Sequence, residues 1–129
     1  MMSMNLLSQV AAGVTVAGLV FAFVLEVFFH RDPRTYSFTL IRPQDVPAVR
    51  LWVIFIGLYN LCFAAGIAAG LLLLNVGSIG AGRALVLFGC TSHIVLAILF
   101  PFVERRLWRN ALMEGIPPLT AVLAYLAWG

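Results

Sequence analysis

Four long apolar runs, separated by three polar breaks, set the plan of this chain. They cover about Leu6–Phe29, Ala48–Leu74, Arg83–Val103 and, less distinctly, 111–128. Runs of this length match the roughly 20 residues that a helix needs to cross a hydrocarbon core of about 30 Å. The predicted fold is therefore an all-α membrane bundle of four transmembrane helices in a single domain, 1–129. The fourth run needs the most help. Ile116 to Trp128 supplies roughly 20 Å at 1.5 Å per residue. Its helix should thus begin near Asn110, unless the bilayer thins around it. Pro117-Pro118 suit a first turn, and Trp128 suits an interfacial anchor.

The breaks differ in character. The first opens with His30-Arg31-Asp32-Pro33-Arg34 and holds Pro33, Pro43 and Pro47, which argues against one continuous helix. Asp45 is placed to cap the next helix. The second break, Asn75 to Gly82, is short, Gly-rich and uncharged, as in a tight turn. The third, Glu104 to Glu114, is amphipathic, with Leu107, Trp108, Ala111 and Leu112 on one face. It is expected either to lie along the interface or to extend the third span after a kink at Pro101.

Composition strengthens the membrane reading. The chain is 63% hydrophobic and 10% charged, with a mean hydropathy of +1.05. Soluble domains run roughly 45–50% apolar and about 25% charged. The first run follows an uncharged leader, Met1 to Asn5, and is too long for the apolar part of a cleaved signal peptide.

Charge then supplies an orientation. There is no Lys, and seven of the 8 basic residues (Arg31, Arg34, Arg42, Arg50, Arg105, Arg106 and Arg109) lie in or beside the first and third breaks. Those breaks share one membrane face, which the positive-inside rule assigns to the cytoplasm, leaving both termini outside. The net charge of +3 is no nucleic-acid signature, because its cations flank the spans. Arg105, Arg106 and Arg109 are expected to set topology and to touch anionic lipid headgroups, as are the arginines of the first break, or else to dock an acidic partner.

Polar groups inside apolar runs are the candidates for chemistry, since each is costly in lipid unless paired or hydrated. Counting from the arginine-flanked ends puts Glu26 roughly 5 Å deep, and Asn60 and His93 roughly 15 Å deep. The half of the bundle near the arginines is expected to be the more polar. One reading is a polar pocket with Glu26 at its mouth, Asn60 and His93 at its floor, and Tyr59 nearby. The plainer reading pairs Glu26 with an arginine at the interface and makes Asn60 and His93 hydrogen-bond glue between helices. Gly66 and Gly70 form a GxxxG that lets two helices pack closely. Cys62 and Cys90 read as small hydrophobes. No His/Cys/carboxylate cluster has metal-ligand spacing, CxxC is absent, and His30 and His93 lie at different depths, against a shared haem. No cofactor is expected.

Several stretches resemble a family of small four-helix bacterial membrane proteins, the domain of unknown function 1304. Gly57-Leu58-Tyr59-Asn60 followed by Ala64-Ala65-Gly66 is similar to its second span. Leu25-Glu26, an aromatic pair and Pro33 are similar to its first-span exit. Arg106-Leu107 with Gly115-Ile116-Pro117 is similar to its entry to the last span. The chain departs from the pattern at Gly18-Leu19, where the family usually has Glu-His, and at Ile56, where it usually has Gln. The resemblance implies the four-helix fold and the bacterial inner membrane, and no known reaction.

Three functional expectations follow. The leading one is a non-catalytic accessory or assembly subunit, packed against a larger membrane complex or against itself through Gly66 and Gly70. The second is an oligomeric small-solute transporter. The third is an intramembrane enzyme acting on a lipid or isoprenoid, with Glu26 or His93 as acid/base, chemistry that needs two groups within reach of one substrate.

Overall fold

The computed structural model describes residues 4–129, so part of the uncharged leader, Met1–Ser3, lies outside the described residues. Its helices are α1 (Leu6–Phe28), α2 (Tyr36–Thr39), α3 (Val46–Asn75), α4 (Ile79–Val103) and α5 (Trp108–Trp128). No strand occurs among the described residues. Four helical stretches are long and apolar enough to cross a membrane: Leu6–Phe28, Pro43–Asn75, Ile79–Val103 and Arg105–Trp128. Each long helix runs antiparallel to the next. The four pack as a square in the order α1, α3, α4, α5, with α1 closing back on α5.

Local chemistry sets the helix ends. Asn5 caps α1, its side-chain oxygen accepting from the Ser8 N–H at 2.9 Å. The turn from α3 to α4 needs a positive φ, which Gly77 supplies at +101°. Ser78 N–H then reaches back to the Leu73 carbonyl at 3.0 Å. Asp45 stands before α3 but makes no cap hydrogen bond. Its carboxylate instead pairs with Arg42 at 2.9 Å, a stronger partner than a backbone N–H.

The amphipathic stretch 104–114 divides in two. Glu104 is extended, at φ −147° and ψ 110°, and ends α4. Arg105–Leu107 form a single 3-10 turn, and α5 starts at Trp108. Most of the stretch is thus the first two turns of the fourth span. Pro117 and Pro118 lie inside α5 rather than in its first turn. Lacking N–H groups, they cannot bond the carbonyls of Met113 and Glu114.

Small residues hold the bundle together. Ala11, Ala12, Ala64, Ala121 and Ala124 are buried along the axis with Ile67, Val86 and Cys90. A Cβ at Gly82 would lie 2.6 Å from the Gly70 carbonyl oxygen, and one at Gly57 would lie 2.7 Å from Val27. Glycine therefore sets the α3–α4 and α1–α3 distances. Gly66, by contrast, has open space beside it. Of the two expected packing glycines, Gly70 meets α4 within the chain and Gly66 meets nothing. The outward surface is apolar, carrying Leu72, Phe88, Phe102 and Leu126 exposed, as suits lipid surroundings.

Two features position the candidate site. The first is a length mismatch: Gly57 of α3 packs beside Val27 near the end of α1. The 11 residues of α3 before Gly57, Val46 to Ile56, therefore carry it about 16 Å past the level of Val27. The second is that the first break fills the missing corner as Pro33–Thr35, α2 and Pro43–Asp45. Within it, Leu40 ends α2 at φ 59°, the left-handed region.

Candidate functional site

The arginine-rich end holds a half-open cavity of about 390 Å³. Phe38 and Ile41 of the first break, Trp52 and Ile56 of α3, and Phe100 of α4 wall it. Its polar lining includes Glu26, Asn110 and Glu114. Such a space, mostly apolar with a few convergent polar groups, has the character of a small-ligand site.

Each polar group is placed by its helix. Asn60 Nδ2 donates to Glu26 Oε1 at 2.7 Å. The two residues are thus at one depth, not 10 Å apart as arginine-based counting suggested. The cause is the early stop of α1, which brings Glu26 beside the middle of α3. Asn110, 7% exposed, donates to the Phe38 carbonyl at 2.7 Å and so ties α5 to the wall. Glu114 lies one turn further along α5, on the same face. It has neither a hydrogen bond nor an ion pair among the described residues. A second space of about 30 Å³, lined by Thr15, Gly18, Leu19 and Pro117, adjoins Glu114 from the other side.

The expected four-residue pocket is therefore revised. Glu26 and Asn60 meet. Tyr59, 65% exposed, points outward, because its neighbour Asn60 takes the inward position on α3. His93 is 3% exposed, with neither ring nitrogen bonded. It stands edge-on to Phe63 with ring centroids 5.0 Å apart, and it does not line the cavity. Glu26 and His93 share no space in which to work as acid and base.

The sequence reading does not single out Glu114, the last residue of a segment expected either to lie along the interface or to extend the third span. The signal was its spacing of four from Asn110, with Pro117-Pro118 next along the same helix. It also missed His30, 3% exposed, whose Nδ1 donates to the Glu26 carbonyl at 2.7 Å and extends the end of α1. The expected departures from the family pattern border these spaces: Ile56 lines the larger and Gly18-Leu19 the smaller.

The loop acids serve the loops. Asp32 pairs with Arg34 at 2.8 Å, and Glu104 with Arg106 at 3.0 Å. The side-chain hydrogen bonds from these arginines, then those from their backbone N–H groups, hold both carboxyls below the usual range. Arg106 also donates to the Tyr36 hydroxyl at 3.1 Å. The Arg109 guanidinium lies 5.3 Å from the Trp108 ring centre, and Arg105 makes no ion pair among the described residues.

The opposite end carries polar groups too. Asn5 donates to the Ala124 carbonyl at 2.9 Å, Ser8 to Ala121 at 2.9 Å, and Asn75 to Gln9 at 3.1 Å. Arg83 lies 5.9 Å from the Tyr125 ring centre.

Among the described residues, no three of His, Cys, Asp and Glu are grouped to hold a metal ion. The family model described as protein of unknown function (DUF1304) matches residues 9–126. No curated protein and no solved structure matches the chain.

Proposed function

Since the chain belongs to the DUF1304 family of proteins of unknown function, we propose its role from geometry: a small, non-catalytic accessory protein of the inner membrane that holds an amphiphilic cation in the cavity at its arginine-rich end. That end faces the cytoplasm by the positive-inside rule. One observation carries the reading. Glu26, oriented by Asn60, and Glu114 line a single apolar cavity, and neither has a basic partner among the described residues. Carboxylates in such surroundings need a cation or a proton beside them. An alkylammonium supplies the cation, donors for both carboxyls and a tail for the apolar wall.

The test is protection of the full chain in nanodiscs. A hydrophobic carbodiimide adds to carboxyl groups in apolar surroundings. It should label Glu26 and Glu114, and decylammonium should suppress that labelling. Labelling that ignores decylammonium, or that falls only on Asp32, Asp45 and Glu104, defeats the reading.

A separate observation favours assembly with a second copy. Gly66, Cys62, Phe63, Leu85 and Phe88 border an outer groove of about 220 Å³ between α3 and α4. Gly66 has room beside it, and Cys62 is exposed. A bismaleimide should then join two chains through Cys62 in the membrane. Exclusively monomeric product would count against self-assembly.

A further inference from the structure

A second space, comparable in volume to the carboxyl-lined cavity, lies elsewhere on the bundle. It is an outward groove of about 410 Å³ between α4 and α5. Its floor is made of small residues, Ala97, Ala111 and Gly115. The two helices touch along that floor, since a Cβ at Gly115 would lie 2.8 Å from the Ala97 side chain. Larger aliphatic side chains form its rims, and Trp108 stands at its loop end.

The order of residues along this groove is directional. On α5 and the turn before it, Arg105, Trp108, Leu112, Ile116 and Leu119 follow at spacings of three or four, so they form one stripe. Trp108, Leu112, Ile116 and Leu119 line the groove itself. Arg105 continues the stripe past Trp108. Arg109 stands over the Trp108 ring. Neither arginine has an ion-pair partner among the described residues, whereas Arg34, Arg42 and Arg106 each have one. The groove thus runs from two uncompensated guanidiniums, past an indole of the kind that settles at membrane interfaces, to a purely aliphatic end level with Ile94 of α4.

We propose that this groove is a binding site for one anionic phospholipid, with the phosphate between Arg105 and Arg109 and one acyl chain lying over Ala97, Ala111 and Gly115. A guanidinium presents paired donors to phosphate oxygens. The indole packs at the glycerol level, and the small-residue floor gives the chain a channel that bulkier side chains would fill. A free phosphate satisfies only the first part of this arrangement, and a neutral lipid only the last. Charge and groove together select the anionic lipid.

Native mass spectrometry of the full chain, released from membranes holding equal phosphatidylglycerol and phosphatidylcholine with matched acyl chains, tests the site. The wild type should retain one phosphatidylglycerol in preference to phosphatidylcholine by about tenfold or more. Arg105→Gln with Arg109→Gln should abolish the preference. Ala111→Phe, with both arginines intact, should lower retention of both lipids by filling the channel. Circular dichroism and melting confirm that each variant is folded. Equal retention of the two lipids by the wild type overturns the proposal. So does wild-type retention by Ala111→Phe, which would place the lipid on the arginines alone. Displacement of the lipid by inorganic phosphate overturns it, as does a wild-type dimer that Ala111→Phe converts to a monomer.

Discussion

The two ends of this bundle solve the same problem in opposite ways. At the end bearing the chain termini, four helices of matched reach come together. Their polar side chains are spent within the bundle: Asn5, the cap of α1, and Ser8 of α1 bond carbonyls of α5, and Asn75 of α3 bonds Gln9 of α1. Gly70 and Gly82 let α3 and α4 touch backbone to backbone. At the arginine-rich end, α1 stops early, a loop segment takes its place, and polar side chains face a cavity. Closure follows from helices that meet at one level and share a layer of small residues. A cavity follows where one helix is missing and a thinner element stands in for it.

That contrast can be broken at several points. The largest effect is expected from Gly82→Val. Its side chain would collide with the Gly70 carbonyl, and overpacking of this kind costs about 3 kcal/mol or more. Unfolding in mixed detergent micelles measures it; a loss below 1 kcal/mol would mean that the α3–α4 crossing can yield. Asn5→Ala removes a cap and an interhelical bond together, for about 1–2 kcal/mol, read in the same assay. Glu114→Gln at the open end should change stability by less than about 0.5 kcal/mol, because nothing bonds that side chain, while removing carbodiimide labelling at position 114. A large stability loss there would make Glu114 structural and erase the difference between the ends.

The smallest effect concerns pH. The folded carboxyls of Asp32 and Glu104 lie below their unfolded range, so what they contribute is present at neutral pH. It fades only as pH falls through their lowered folded values. Amide exchange at Arg34 and Arg106, whose N–H groups bond those carboxylates, should stay protected at pH 5 relative to open loop amides and lose that protection in stronger acid. Loss already at pH 5 would show these turns to be held by something else.

The four spans were readable from the sequence because lipid solvation demands a long apolar run, and composition alone reveals it. The family match over 9–126 agrees with the resemblance seen in the Gly57–Asn60 and Gly115–Pro117 stretches. The site was only half readable. Glu26 and Asn60 stood out as polar residues in apolar runs, but their depths were counted from loop arginines, and such counting assumes that every helix ends at the same plane. Only packing reveals that α3 runs on where α1 stops. Glu114 was hidden for a related reason: charge at 104–114 resembles an interface, and the sequence alone does not say that α5 begins at Trp108. His93 looked like a site residue by type and depth, yet it faces Phe63.

Leu40 carries one more consequence. A leucine held in the left-handed region stores roughly 1–2 kcal/mol that an extended conformation would release. It sits between Thr39 and Ile41, both of which line the cavity, and the bond from Asn110 to Phe38 fastens the neighbouring residues to α5. Spring and latch are therefore adjacent. The Arg106 bond to the Tyr36 hydroxyl is a second tie on the same short segment, so the strained residue is clamped from the turn and helix that follow α4, on the thinnest side of the bundle.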